Sequence, residues 1–321
     1  MEYYHALSID GGGVRGLLTA VLLDRLESIH PFLDDIELFA GTSTGGVLAL
    51  GLAAGYKPAD LCELYERHAR EVFADSLADD IKDLGMVLGS QYSNEKFIKL
   101  LEQHFGDKKL RDLPKKVLVS AFDLDNQART GRYRSWKPKF FHNFNGFDSD
   151  GDERVVDVAV RTSAAPTFFP IYQGYIDGGV VANNPGMCAL AQAINPGMAG
   201  RRLEDVVLLS MGTGINLKYL EVENEEWGIA QWARHMLSLM LEGSAGTVHY
   251  QCRMMLGARY RRINPVLPEP IGLDGFDRLE LLREIGEREN LNREIRWLRD
   301  YFEDRKAPEI SGRGLVGGLA E

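Results

Sequence analysis

Cysteine is scarce in this chain. The three present in 321 residues, Cys62, Cys188 and Cys252, are far apart and odd in number. That excludes a disulfide framework and a cysteine-based zinc site, and it predicts a reducing, cytoplasmic setting. Positive charge is short as well. The 37 Lys and Arg face 47 Asp and Glu, for a net charge of −10, which argues against a general nucleic-acid binder. Long apolar runs are missing. The most apolar stretch, VLALGLAAG at 47–55, is too short and too glycine-rich to cross a bilayer, so membrane contact is expected to be peripheral. The opening MEYYHALSID lacks a basic start and an apolar core, which predicts no secretory signal. No Cys, His and carboxylate cluster has metal-ligand spacing. Neither a metal nor another cofactor is expected, and there is no internal repeat or Pro/Ser-rich linker.

What is present is an alternation of apolar strands with helical periodicity. Tyr4–Ile9 reads as a strand, Leu17–Ile29 as a helix, residues 36–40 as a strand, and the small-residue segment after Ser43 as a buried helix. Helices are predicted over 58–72 and 93–105, a strand over 115–126 and a loop over 127–151. There follow a helix over 155–166 stopped by Pro166, a strand and turn over 175–186, and a strand over 206–214. Helices are also predicted over 225–256 and 276–303, with a frayed end at 311–321. This order predicts an α/β fold of three layers, with a largely parallel central sheet flanked by helices. Residues 1–265 are expected to form the catalytic domain. Residues 266–321 would be a helical extension packed on it.

The glycines concentrate in SIDGGGVRGLL, residues 8–18. Gly11, Gly13 and Gly16 satisfy G-x-G-x-x-G between a strand and a helix, the pattern of a dinucleotide cradle. That reading needs an acidic residue ending the next strand, and IELFA ends in Gly41-Thr42-Ser43. No Gly-Lys-Ser/Thr follows, so a P-loop is excluded. Gly41-Thr42-Ser43-Thr44-Gly45 is instead G-x-S-x-G between an apolar strand and a small-residue helix, the context of a nucleophile elbow. Acyl transfer also needs an oxyanion hole and a base. The backbone N–H groups of Gly11, Gly12 and Gly13 are candidates for the first, since glycine lets the chain approach a substrate without a Cβ. Arg15 either braces this loop or adds positive potential. Asp177, between an apolar strand and Gly178-Gly179, is the candidate base. The order Ser43, Asp177, His249 also fits a Ser-Asp-His triad of the α/β-hydrolase type, although that elbow normally follows more strands.

The combined motifs resemble the patatin-like phospholipase family. They are Asp10-Gly-Gly-Gly-Val-Arg-Gly16, Gly41-Thr-Ser-Thr-Gly45, Ser163-Ala-Ala-Pro-Thr-Phe-Phe-Pro170, Asp177-Gly-Gly179 with Asn183-Asn184-Pro185, and Ser210-Met-Gly-Thr-Gly214. The resemblance runs over residues 5 to about 215. It implies a serine–aspartate dyad of Ser43 and Asp177 without histidine, an oxyanion region at Gly11–Gly13 and Arg15, and metal-independent hydrolysis of lipid acyl esters through an acyl-serine intermediate. The expected partners are a lipid substrate and a peripheral membrane surface.

An acyl chain needs an apolar cleft. Ala164, Ala165, Phe168 and Phe169 are candidates to line it, with ordinary core packing as the alternative. Residues 132–141, RYRSWKPKFF, mix cations with aromatics. They suit either a phospholipid interface or a solvated edge strand. Two other classes stay open at this stage: a lipid-binding scaffold, which would not need both Ser43 and Asp177, and a nucleotide-regulated bacterial effector with a ligand pocket beyond residue 215.

Overall fold

The computed structural model describes residues 2–73, 90–127, 133–146, 148–220 and 226–303. The expected tail at 311–321 and Arg132 lie outside them. Among the described residues, seven strands form one mixed sheet. β1 (Tyr4–Ile9) is central, flanked by parallel β2 (Leu38–Thr42) and β6 (Val206–Met211). β3 (Lys116–Asp123) continues parallel beyond β2, and β7 (Tyr260–Ile263) beyond β6. β4 (Lys137–His142) closes the β3 side antiparallel. So 137–142 takes the edge-strand alternative, and exposed Lys137 and Pro138 blunt that edge.

β1, β2 and β6 are buried along their whole length, because helices cover both faces. Alternate residues divide between two apolar layers. Leu7, Ile9, Phe39, Val119 and Leu209 face one layer with α1 (Gly16–Ile29), α2 (Thr44–Ala53), α3 (Pro58–Phe73) and α5 (Val155–Ser163). α4 is Glu95–Phe105. Tyr4, Ala6, Leu38, Ala40 and Leu208 face the other, with α7 (Gly186–Ile194) and the C-terminal part of α8 (Ile229–Leu256). The three-layer α/β class read from the sequence is the one observed.

One element differs from expectation. The helix predicted over 276–303 is two, α9 (Leu279–Arg288) and α10 (Asn292–Leu298), because the chain turns extended at Glu289. The extension also shares the first apolar layer: Leu267, Ile271, Leu282, Leu291 and Leu298 belong to the same core as β1 and α1.

Candidate active site

The C-terminal ends of β1, β2 and β6 open on one side of the sheet, where α/β proteins bind their ligands. β2 and β5 (Tyr175–Asp177) occupy one lane beside β3 and run toward each other. Thr42 pairs with Ser120 and Asp177 with the next residue, Ala121. Two chain segments 134 positions apart in sequence therefore end side by side, and Ser43 meets Asp177.

Ser43 has φ 56° and ψ −127°, a region that costs a non-glycine residue about 1–3 kcal/mol. The turn is held by its surroundings. Ser43 N–H donates to Thr162 Oγ1 at 2.8 Å, and the Thr162 hydroxyl donates to Ser120 O at 2.6 Å. The ten-residue helix α2 starts at Thr44, so its positive end faces the Ser43 side chain. The Ser43 hydroxyl lies beside the Asp177 carboxylate and acts to lower its pKa. Asp177 Oδ1 accepts the Gly179 N–H at 2.6 Å. Asp177 is buried, and burial pushes its pKa up from 3.8 to about 6 against the opposing pull of the Ser43 hydroxyl and the Gly179 N–H.

No histidine joins this pair, so the Ser-Asp-His alternative is not what the fold builds. His249 Nδ1 lies 3.1 Å from Tyr260 Oη, and the His235 ring stacks on Trp227. His68 lines the same cleft as Ser43, but its Nδ1 pairs with Glu71 at 3.1 Å.

The glycine run lies opposite Ser43, and here the sequence reading needs correction. Gly11 N–H donates to Asn183 O at 3.0 Å, so Gly11 is not an oxyanion donor. The N–H groups of Gly12 and Gly13 have no acceptor among the described residues. The glycines are also required by protein packing rather than by substrate approach. A Cβ on Gly12 would lie 2.1 Å from Thr213 Oγ1, and one on Gly13, at φ +58°, 2.0 Å from Leu273 O. Arg15 braces the loop instead of facing the oxyanion position: its Nε donates to Gly12 O at 3.3 Å and its Nη1 to Gly214 O at 3.4 Å. Burial lowers the Arg15 pKa, with the Glu242 and Asp10 carboxylates acting against that shift.

The cleft over Ser43 and Asp177 is apolar, with Val47, Leu100, Phe168, Phe169, Leu237 and Leu241 among its walls. Phe168 and Phe169 line this cleft. Ala164 does not: it is buried beneath the cleft, and its carbonyl accepts the Asp177 N–H at 2.9 Å.

Several supporting residues escaped the sequence reading. Arg262 on β7 clamps Asp10 with two bonds, of 3.2 and 2.5 Å, and donates to Ser210 Oγ at 2.8 Å. Thr213 Oγ1 donates to Gly11 O at 3.0 Å. Thr162 fixes the elbow as above. The one available signal was the Asp10 carboxylate at a strand end, which needs a cation when buried. Nothing local indicated that Arg262 supplies it.

A family model for the patatin-like phospholipase matches residues 7–189, more than half of the chain. The chain belongs to the patatin-like phospholipase family. A cGAMP-activated phospholipase of Pseudomonas aeruginosa is 32% identical over 269 residues, covering 81% of this chain and 78% of that protein. Protein teg of Priestia megaterium is 30% identical, covering 84% and 89%. Patatin-like protein 1 of Arabidopsis thaliana is 29% identical, covering 89% and 81%. Family membership makes this chain a lipid hydrolase. The matched span carries the glycine loop, the elbow and Asp177, and it ends before Arg262. No helix among the described residues is long and apolar enough to cross a membrane.

Proposed function

We propose that the chain is a serine-dependent phospholipase A that cleaves the carboxylic ester of a glycerophospholipid. The observation that carries this reading is the placement of Ser43 beside a buried Asp177 at the floor of an apolar cleft. Ser43 Oγ attacks the ester carbonyl carbon while its proton passes to Asp177. The Gly12 and Gly13 N–H groups hold the oxyanion, where each donor is worth roughly 3 kcal/mol. The intermediate collapses, the C–O bond breaks, and the leaving alkoxide takes the proton from Asp177. Water then attacks the acyl-Ser43 ester, Asp177 accepts its proton, and the fatty acid departs with Ser43 reprotonated. A pKa of about 6 leaves Asp177 ionised at neutral pH and a stronger base than an ordinary carboxylate.

Mass spectrometry of products from phospholipid vesicles tests it. Wild-type protein is expected to release free fatty acid and lysolipid, and folded Ser43→Ala neither. Undiminished release by Ser43→Ala would overturn the assignment.

A second reading concerns control. The relative named as cGAMP-activated draws attention to a second cavity beside the glycine loop, whose lining includes Arg15, Asn216, Lys218, Glu242, His249 and Asn264. A cyclic dinucleotide held there would bear on Arg15 and hence on the loop carrying Gly12. Turnover of a soluble ester should then rise on adding cGAMP, and an unchanged rate at saturating nucleotide would sink this reading.

A further inference from the structure

The outward face of α8 breaks the usual rule for a surface helix, which puts charge toward water. Ile229 is 89% exposed, Tyr250 65% and Met254 67%, and Trp232, Met236, Leu239 and Met240 are exposed with them. At about 100° per residue these seven fall within an arc of about 100°, and from 229 to 254 they run about 38 Å along the axis. The only other residues in that arc are Gly243 and Thr247, so it contains no charged residue. His235, Glu242 and Arg253 share a flank outside it.

The opposite face of the same helix is accounted for. Leu237 and Leu241 wall the catalytic cleft, and Ala245, Cys252 and Leu256 are buried. The helix therefore carries substrate-facing leucines on one side and an uncharged ridge on the other.

We propose that this ridge of α8 is the surface by which the protein seats on a lipid bilayer, with the cleft mouth at the acyl-chain level. The proposal rests on the lipid-ester reading above. Continuity with the cleft favours a bilayer as the occupant: an acyl chain lifted from the membrane passes the edge of α8 directly onto Leu237 and Leu241. The residue types agree. Trp232, packed edge-on against Trp227 with centroids 5.2 Å apart, and Tyr250 are aromatics suited to the headgroup boundary, and the Met and Ile side chains fit the acyl layer below it. The charge agrees too. A chain with a net charge of −10 is repelled by anionic lipid, and an uncharged ridge seats on neutral headgroups by apolar burial alone.

The experiment measures sedimentation of the full chain with sucrose-loaded phosphatidylcholine vesicles, beside turnover of a soluble short-chain ester. Wild-type protein should bind neutral vesicles, and 0.5 M salt should not weaken binding beyond about twofold, since no ion pair is screened. Trp232→Asp/Met236→Asp should lower vesicle partitioning by about tenfold or more, roughly the loss of two apolar anchors, with soluble-ester turnover unchanged. Met254→Asp, about 27 Å along the helix from Met236, should lower it as well, and it keeps the test alive if the double variant misfolds. Unchanged partitioning in the folded variants would overturn the proposal. So would binding confined to anionic vesicles and lost in salt, or a wild-type dimer that the substitutions split while vesicle binding is retained. Absence of soluble-ester turnover in the wild type would instead defeat the catalytic reading, and sedimentation would still report on the ridge.

Discussion

Asp177 is a carboxylate that the fold charges at a cost. Its raised pKa means that the folded state binds the proton more tightly than the unfolded chain does, between pH 3.8 and about 6. The cost to stability is absent below pH 3.8, where both states are protonated, and complete above pH 6. Two pKa units correspond to about 3 kcal/mol. Asp177→Asn keeps an oxygen for the Gly179 N–H and removes the charge. It is expected to abolish turnover while stabilising the fold by about 1–3 kcal/mol at pH 7.5. That gain should fade as the pH falls toward 4, and melting temperatures of both proteins across this range check the sign. In the wild type, kcat/KM for a soluble ester should rise with pH through a midpoint near 6. The variant meeting both conditions separates this carboxylate from one that merely packs.

At the scale of elements, the elbow works because two backbones touch. A Cβ on Gly45 would sit 2.2 Å from Ile9 O and 2.5 Å from Asp10 O, and one on Gly41 2.1 Å from Gly45 O. These are main-chain atoms of the end of β1, of the residue after it and of α2, so no side-chain rotation relieves the clash. The same closeness sets the glycine loop after β1 against Ser43 after β2. Gly45→Ala is expected to cost more than about 2 kcal/mol and to remove activity with it, as urea unfolding and ester turnover would report. Gly243→Ala makes the contrast, because nothing lies within 4 Å of its Cβ position. There a mid-helix alanine should gain up to about 1 kcal/mol.

At the scale of the whole molecule, the extension completes the catalytic unit. Val14 N–H donates to Leu273 O at 2.8 Å, just past the candidate oxyanion donors. Leu273 also lines the cleft, and Leu282, Leu291 and Leu298 fill the layer over α1. A chain cut after Pro265 loses all of these. It is expected to show no cooperative thermal transition and no turnover, by circular dichroism and ester assay. A compact, active 1–265 fragment would show that the boundary read from the sequence marks a real domain.

The sequence by itself determined the alternation of strand and helix, the serine on its turn and Asp177 beyond a second strand, because these are written in local periodicity and in glycines at fixed spacing. It offered Asp177 as a candidate base for Ser43, and the family resemblance alone favoured a dyad of the two over a triad with His249. Their contact depends on two segments meeting head to head beside β3, which no local pattern encodes. Tertiary structure alone decided which glycine N–H groups remain free, since Asn183 takes that of Gly11 from far along the chain. It gave Arg15 the bracing contacts of the two roles left open for it and moved Ala164 from the wall of the cleft to its support. It also left the α8 ridge bare: Met236 and Leu237 are adjacent apolar residues in sequence, and only the packing of the helix decides which of them lines the cleft and which meets the solvent.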